Sequence, residues 1–171
     1  EVISFCLEML GPHDATLREL EMIDYTFEFT MDYGAYREFK RHRMQSYTPQ
    51  SLTVENGYVI PSLITEAGLE GVFVKAMERS EKAFKIVQTL SPEAAQYLVT
   101  HAHKRRILTK INLRECYHLF KMRTQPQAHF SIRTPMDNAM KLAANVHPFL
   151  FKHIRLREYP SWWPFEINGS A

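Results

Sequence analysis

The most regular stretch of the chain alternates. Ile23, Tyr25, Phe27, Phe29 and Met31 are apolar, and Asp24, Thr26, Glu28, Thr30 and Asp32 are polar. Successive strand side chains point to opposite faces, so this period of two predicts a strand with one covered and one wet face. An antiparallel sheet packed on one side gives that pattern. Ahead of it, residues 2–10 form an apolar run that fits either a buried strand or a short helix. Gly11-Pro12 breaks the run, and Asp14 is placed to cap a helix carrying Leu17 and Leu20 on one side.

Gly34 closes the alternating strand, and a short helix with Tyr36 and Phe39 on one face follows. Residues 52–55 and 58–60 flank Asn56-Gly57, both of which tolerate positive φ, so a hairpin is expected. From about 62 to 90 the spacing is helical, with Leu69, Val72, Phe73, Ala76, Met77, Ala83, Phe84 and Val87 as the apolar stripe. Ser91-Pro92-Glu93 opens another helix, with a cap, a proline at the first position and an acid in the first turn. Residues 104–111 read as a strand. Asn112 caps a helix to about 122 whose buried stripe is Leu113, Cys116, Tyr117 and Phe120. A last long helix runs from about 127 to 145, kinked or restarted at Pro135. Pro148 begins a tail with Tyr159, Trp162, Trp163 and Phe165, aromatics suited to covering the domain or a subunit interface.

A length of 171 residues fits one domain over 1–171, with 148–171 as its aromatic tail. Hydrophobic content of 45% and charged content of 23% are those of an ordinary globular protein. Lys and Arg number 21 against 19 acids, so basic character is local and argues against a general nucleic-acid binder. No apolar run approaches a membrane span, and no signal-peptide pattern is read. The chain starts in an apolar run at Glu1 without a methionine, which reads as a segment of a longer polypeptide. Cys6 and Cys116 have no metal-ligand spacing and sit among apolar neighbours, as core thiols in a reducing compartment do. The His101-x-His103 pair lacks a third ligand at suitable spacing, so both are assigned to the surface and no metal site is expected.

Two clusters carry candidate chemistry. Arg37, Lys40, Arg41, His42 and Arg43 crowd one short stretch, and Ser51 follows after seven intervening residues. Guanidinium groups pair with phosphate or carboxylate, a histidine donates or accepts, and a hydroxyl can complete the pocket. The bland account is a solvated basic helix end. The second cluster is Asn112, Arg114, His118 and Arg123, where Arg114 and His118 are four apart and share a face. Here the bland account pairs Arg114 with a nearby acid and leaves His118 a satisfied helix histidine.

Arg41-His42-Arg43 with the later Ser51 resembles the signature of the flavin-dependent thymidylate synthases, the thymidylate synthase-complementing or ThyX family. Asn112-Leu113-Arg114, His118 and Met122-Arg123 are similar to the family's second block. The run 127–133 resembles the segment that follows that block, and Tyr25-Thr26-Phe27 the family's Phe-Thr-Phe strand. The resemblance implies an α+β fold, an antiparallel sheet packed with long helices. It implies a cytoplasmic tetramer, or pairing with a second ThyX-like domain, with FAD where subunits meet. The implied reaction is reductive methylation of dUMP to dTMP, with methylenetetrahydrofolate giving the carbon and NADPH the hydride. Carried over by motif, Arg41, His42, Arg43, Asn112, Arg114 and His118 would hold FAD. Arg37, Glu38, Arg41, Ser51 and Arg123 would line the dUMP site, with Arg123 as the catalytic residue against the uracil.

The chain also departs from the pattern. Thr48-Pro49 replaces Asn-Glu before the serine, Thr53 replaces an arginine after it, and Gln96 replaces another. An upstream His-x-Ser/Thr-x-x-Glu-His element keeps only Glu21, with Thr16, Arg18 and Met22 at its other places. Two readings follow: a divergent synthase using other basic groups such as Lys40 or Arg105, or a degenerate partner domain of a competent copy. A third, from another class, is a small nucleic-acid-binding module using residues 41–43 and 104–106.

Overall fold

The computed structural model describes residues 2–11 and 13–167. The expected break at Pro12, Glu1, and residues 168–171 of the aromatic tail lie outside the described residues. Strand β1 (Asp24–Asp32), strand β2 (Gln45–Pro49) and strand β3 (Lys104–Asn112) form one antiparallel sheet in the order β1-β3-β2. Helices make up most of the remaining regular structure, so the class is α+β. Both longer strands keep the period of two. Phe29 and Met31 of β1 are buried beside exposed Glu28 and Thr30, and Ile107, Thr109 and Ile111 of β3 alternate with exposed Arg106, Leu108 and Lys110. On the wet face, Arg106 pairs with Glu28 at 2.8 Å and Lys110 with Asp24 at 2.8 Å.

The chain divides into two compact units, and each strand contributes residues to both. Of the described residues, the first comprises 2–11, 13–27, 42–46 and 109–167. It opens with helix α1 (Val2–Glu8), which settles the strand-or-helix alternative for that run. The helix expected from Asp14 is absent. The Asp14 carboxylate instead accepts from the Gly11 N–H at 2.8 Å, and only a single 3-10 turn, Arg18–Met22, follows. Helix α6 (Leu113–Arg123) and helix α7 (Phe130–Val146) pack together. Leu113, Cys116, Leu119, Phe120, Ile132, Met136 and Met140 are all fully buried. Helix α8 (Pro148–Phe151) adds Phe151, whose ring meets Tyr25, Tyr117 and Phe120.

Pro135 lies inside α7 and does not restart it; the helix begins at Phe130, where His129 accepts from the Ser131 N–H. Beyond α8 the aromatics pack on one another, with Trp163 between Tyr159 and Phe165 at 5.3 and 5.1 Å. Trp162 anchors the tail by donating Nε1–H to Asp137 of α7 at 2.8 Å.

The second unit comprises residues 28–41 and 47–108. Helix α2 (Tyr33–Phe39) starts at Asp32, whose carboxylate accepts from the Ala35 N–H. Gly34 therefore lies within a helix and does not terminate the strand. Tyr36 and Phe39 are both buried, Phe39 edge-on to Phe29 at 5.2 Å. The Asn56-Gly57 turn forms with Gly57 at φ +69°, yet no hairpin follows. The returning chain pairs with the start of β3, through Val59 N–H to Ala102 O and Lys104 N–H to Gly57 O, and not with 52–55.

The long helical stretch is broken. Helix α3 (Ser62–Glu66) ends where Gly68 takes φ +70°, with Leu69 N–H returning to Ile64 O, and helix α4 (Glu70–Gln88) starts afresh. That bond and the left-handed glycine are a helix C-terminal motif for which only glycine has no Cβ penalty. Of the expected stripe, Met77 and Phe84 are buried, while Leu69 and Val72 are exposed. Ser91 does cap helix α5 (Pro92–Ala95), accepting from Ala94 N–H, and Ala95 joins Val54 and Phe84 in a small core. His103 corrects the surface assignment. Its ring is fully buried, Nδ1 accepts from Thr100 N–H at 3.0 Å, and burial pushes its pKa down. His101 is exposed.

Candidate functional site

Helix α6 builds most of the site in the first unit. Asn112, at the end of β3, takes an extended conformation and its Oδ1 accepts from Glu115 N–H at 2.8 Å, so the helix starts there. The 3.6-residue turn then sends Leu113, Cys116 and Phe120 into the core, with Arg114 and His118 on another face.

Arg114 is held on two sides. Its Nε donates to Thr16 O at 2.9 Å and a terminal nitrogen reaches the Glu21 carboxylate at 2.7 Å. The Arg114 guanidinium, and then Arg18, hold the Glu21 carboxyl below its ordinary range. The surviving acid of the upstream element is thus the partner of a second-block arginine.

His42 and Glu115 are both buried, and His42 Nδ1 lies 2.9 Å from Glu115 Oε1. On the opposite side of the ring, Arg123 Nε donates to His42 Nε2 at 2.9 Å. The His118 ring stands 5.5 Å from that of His42. One residue of the first motif block and three of the helix therefore form a single cluster. Asn112 lies at the head of the same helix.

A cavity of about 470 Å³ borders the cluster, within the range of small-molecule sites, ~300–1,000 Å³. Asn112, Arg114 and His118 line it, facing Leu10, Met44 and Ile154. Lys121, Arg155 and Arg157 also reach the cavity, and burial together with nearby Arg157 pushes the Lys121 pKa down. The lining combines apolar, polar and cationic groups, a chemistry suited to a flat ring system that carries an anionic chain, as a flavin does. Among the described residues there is no group of His, Cys, Asp and Glu that could hold a metal ion.

Of the other expected residues, Arg43 is exposed in the first unit and Arg41 is exposed in the second. Arg37, Glu38 and Ser51 also belong to the second unit, whereas Arg123 belongs to the first. Arg37 is exposed and lies 3.3 Å from His101 Nε2. Arg105, an alternative basic group, is spread over the Tyr36 ring at 4.7 Å and donates to Gln50 O. The residues that replace family arginines have local tasks. Gln96 Oε1 accepts from Leu52 N–H at 3.1 Å, and Thr53 Oγ1 from Glu55 N–H at 3.2 Å.

Glu115 is the residue that motif reasoning passes over. Asn112-Leu113-Arg114-Glu115 has the spacing of a capping box, which assigns the acid to the helix start. The signal that finds it is its burial: a carboxylate is rarely buried without a partner, and here the partner is His42.

The class is thus an α+β protein in which residues of two motif blocks meet beside a cavity. Residues 6–149 match the family model described as thymidylate synthase complementing protein, and the chain belongs to that family. It is 35% identical to a UPF0159 protein of Chlamydia muridarum over 142 residues, covering 83% of this chain and 27% of that protein. A flavin-dependent thymidylate synthase of Sulfurisphaera tokodaii is 29% identical over 143 residues, covering 79% of this chain and 56% of its own. The chain spans only 27–30% of the length of the UPF0159 relatives of Chlamydia muridarum and Thermoplasma acidophilum. The fold matches a crystal structure of ThyX from Helicobacter pylori complexed with FAD and dUMP. The TM-score is 0.63 at 19% identity, over 81% of this chain and 75% of that one.

Proposed function

We propose that this chain is one flavin-dependent thymidylate synthase-type domain of a longer polypeptide, ending in an aromatic tail over 148–171. Its reaction would be the reductive methylation of dUMP to dTMP with methylenetetrahydrofolate and NADPH, in the cytoplasm. It would work as a tetramer or paired with a second such domain. The observation that carries the reading is the contact of His42, from the first motif block, with Arg123, from the second, beside a ligand-sized cavity.

In this reading Asn112, Arg114 and His118 hold FAD from the cavity wall, with Arg41 and Arg43 on its anionic chain. FAD, when bound, supplies the redox chemistry between NADPH and the transferred carbon. Arg37, Glu38, Arg41 and Ser51 bind the nucleotide. Arg123 faces the uracil as a fixed cation, stabilising negative charge as the ring becomes nucleophilic. The absent arginines weigh on the nucleotide half, since each charge-assisted hydrogen bond is worth about 1.5–3 kcal/mol. Gln96 and Thr53, committed to loop backbone, favour as second reading a non-catalytic partner that keeps the flavin half.

Titration of the purified chain with FAD, followed by a dTMP-formation assay with all substrates, tests both. Saturable FAD binding with dTMP formed, and turnover lost in Arg123→Ala, is the expected result. FAD binding without dTMP selects the partner role. No FAD binding by folded protein overturns the flavin reading altogether.

A further inference from the structure

His42 sits in the basic motif, where a flavin contact is the natural assignment, but both its ring nitrogens are already used. Nδ1 is 2.9 Å from Glu115 Oε1 and Nε2 is 2.9 Å from Arg123 Nε. His42 is 7% exposed and Glu115 likewise 7%. Arginine carries donors and no acceptor, so the nitrogen facing Arg123 must offer its lone pair. The ring proton then lies on Nδ1, where the carboxylate takes it. The opposite tautomer would set N–H against N–H at Arg123 and leave a lone pair against the carboxylate.

We propose that Glu115 is a positioning residue for Arg123. It fixes the Nδ1–H tautomer of His42, and the imidazole in turn pins the guanidinium by its Nε. Guanidinium is planar, so holding Nε sets the plane in which its remaining N–H groups lie. A group meant to face a flat ring needs that plane set before the ligand arrives. Glu115 and Arg123 both lie on α6, whose start is fixed by Asn112, while His42 enters from the segment after α2. The imidazole thereby ties the two motif blocks together. The role of Arg123 toward the nucleotide rests on the proposed function; the tautomer and the pinning do not.

The test uses the 171-residue chain without ligand, labelled with 15N. The expected wild-type result is a His42 imidazole spectrum of the Nδ1–H tautomer and a slowly exchanging Arg123 Nε–H. Glu115→Gln keeps a carbonyl acceptor of the same shape and is expected to retain both signals. Glu115→Leu leaves the buried Nδ1–H without an acceptor, so it is expected to loosen the ring, mix its tautomers and speed Arg123 Nε–H exchange by about tenfold or more, as loss of a charge-assisted bond implies. An Nε2–H tautomer in the wild type overturns the proposal. So does a folded Glu115→Leu protein, judged by backbone amide spectra, that leaves both signals unchanged. If that variant does not fold, Glu115→Gln decides the matter: retention of both signals with the carbonyl acceptor in place supports the proposal, and Arg123 Nε–H exchange or a His42 tautomer that differs from wild type overturns it. Absence of dTMP formation with these spectra intact would overturn the synthase reading and leave the positioning role standing.

Discussion

Asn112 holds two assignments, and substitution separates them. Its Oδ1 accepts the Glu115 N–H at 2.8 Å, and the same residue lines the cavity. Asn112→Ala removes the cap, at a cost of about 1 kcal/mol within a range of ~0.5–2. For a chain of this size that lowers Tm by about 2–4 °C per kcal/mol. Asn112→Asp keeps an acceptor in place and puts a negative charge at the positive end of the helix, which is favourable by about 0.3–1 kcal/mol. Its stability is therefore expected to equal or exceed wild type.

Flavin affinity should part from stability. Both variants lose the amide N–H₂, and one neutral hydrogen bond of about 1 kcal/mol corresponds to roughly fivefold in Kd. Urea unfolding without flavin reads the first quantity, and FAD fluorescence titration reads the second. The expected pattern is loss of both in the alanine variant and of affinity alone in the aspartate variant. If aspartate unfolds as early as alanine, the capping argument fails. If aspartate binds FAD as tightly as wild type, the amide does not face the flavin.

Burial pushes the Cys116 thiol well above its ordinary range, so a thiol reagent at neutral pH is expected to label it only as fast as the protein unfolds. Labelling of Cys116 at the rate of a free thiol in native protein, read by mass spectrometry, would contradict the core placement. Glu21 is held below its ordinary pKa by Arg114 and then Arg18; its contribution to stability is present above the unfolded-state value and is lost as pH falls through the folded-state value. Wild-type Tm should therefore fall more steeply than that of Glu21→Gln as the solution is acidified through the carboxylate range; parallel slopes would mean the pair contributes nothing.

What could be read beforehand was mostly local. The alternation of β1, the Ser91 and Asn112 caps and the stripe of α6 are written in neighbouring residues, and each is found in the fold. The losses come where a local signal had a competitor. Asp14 satisfies the Gly11 amide in place of a helix start. Asn56-Gly57 makes its turn, but the pairing partner lies at residues 102–104, which no adjacent pattern announces. Gly68 breaks a helix because it takes a left-handed conformation, which a stripe of apolar residues does not reveal. The His42 contacts join residues 73 and 81 positions apart, so Glu115 was visible only once the fold had brought it to the ring.

Helix α6 also bears on how any ligand enters. Four of its residues, Leu113, Cys116, Leu119 and Phe120, have no solvent exposure at all, and Arg114, Glu115 and His118 sit between them along the same helix. Amide protons that exchange only on global opening are those of elements anchored in this way. Arg114 and His118 are thus carried by a helix anchored in the core, whose amides are expected to exchange slowly. The cavity wall that includes Gly11, Asp14 and Thr16 is less regular: the Asp14 carboxylate accepts from the Gly11 amide, and a single 3-10 turn, Arg18–Met22, follows. A ligand arriving there meets groups already ordered, so it bears little of the entropic cost of arranging them. The price of that order was met when the core formed.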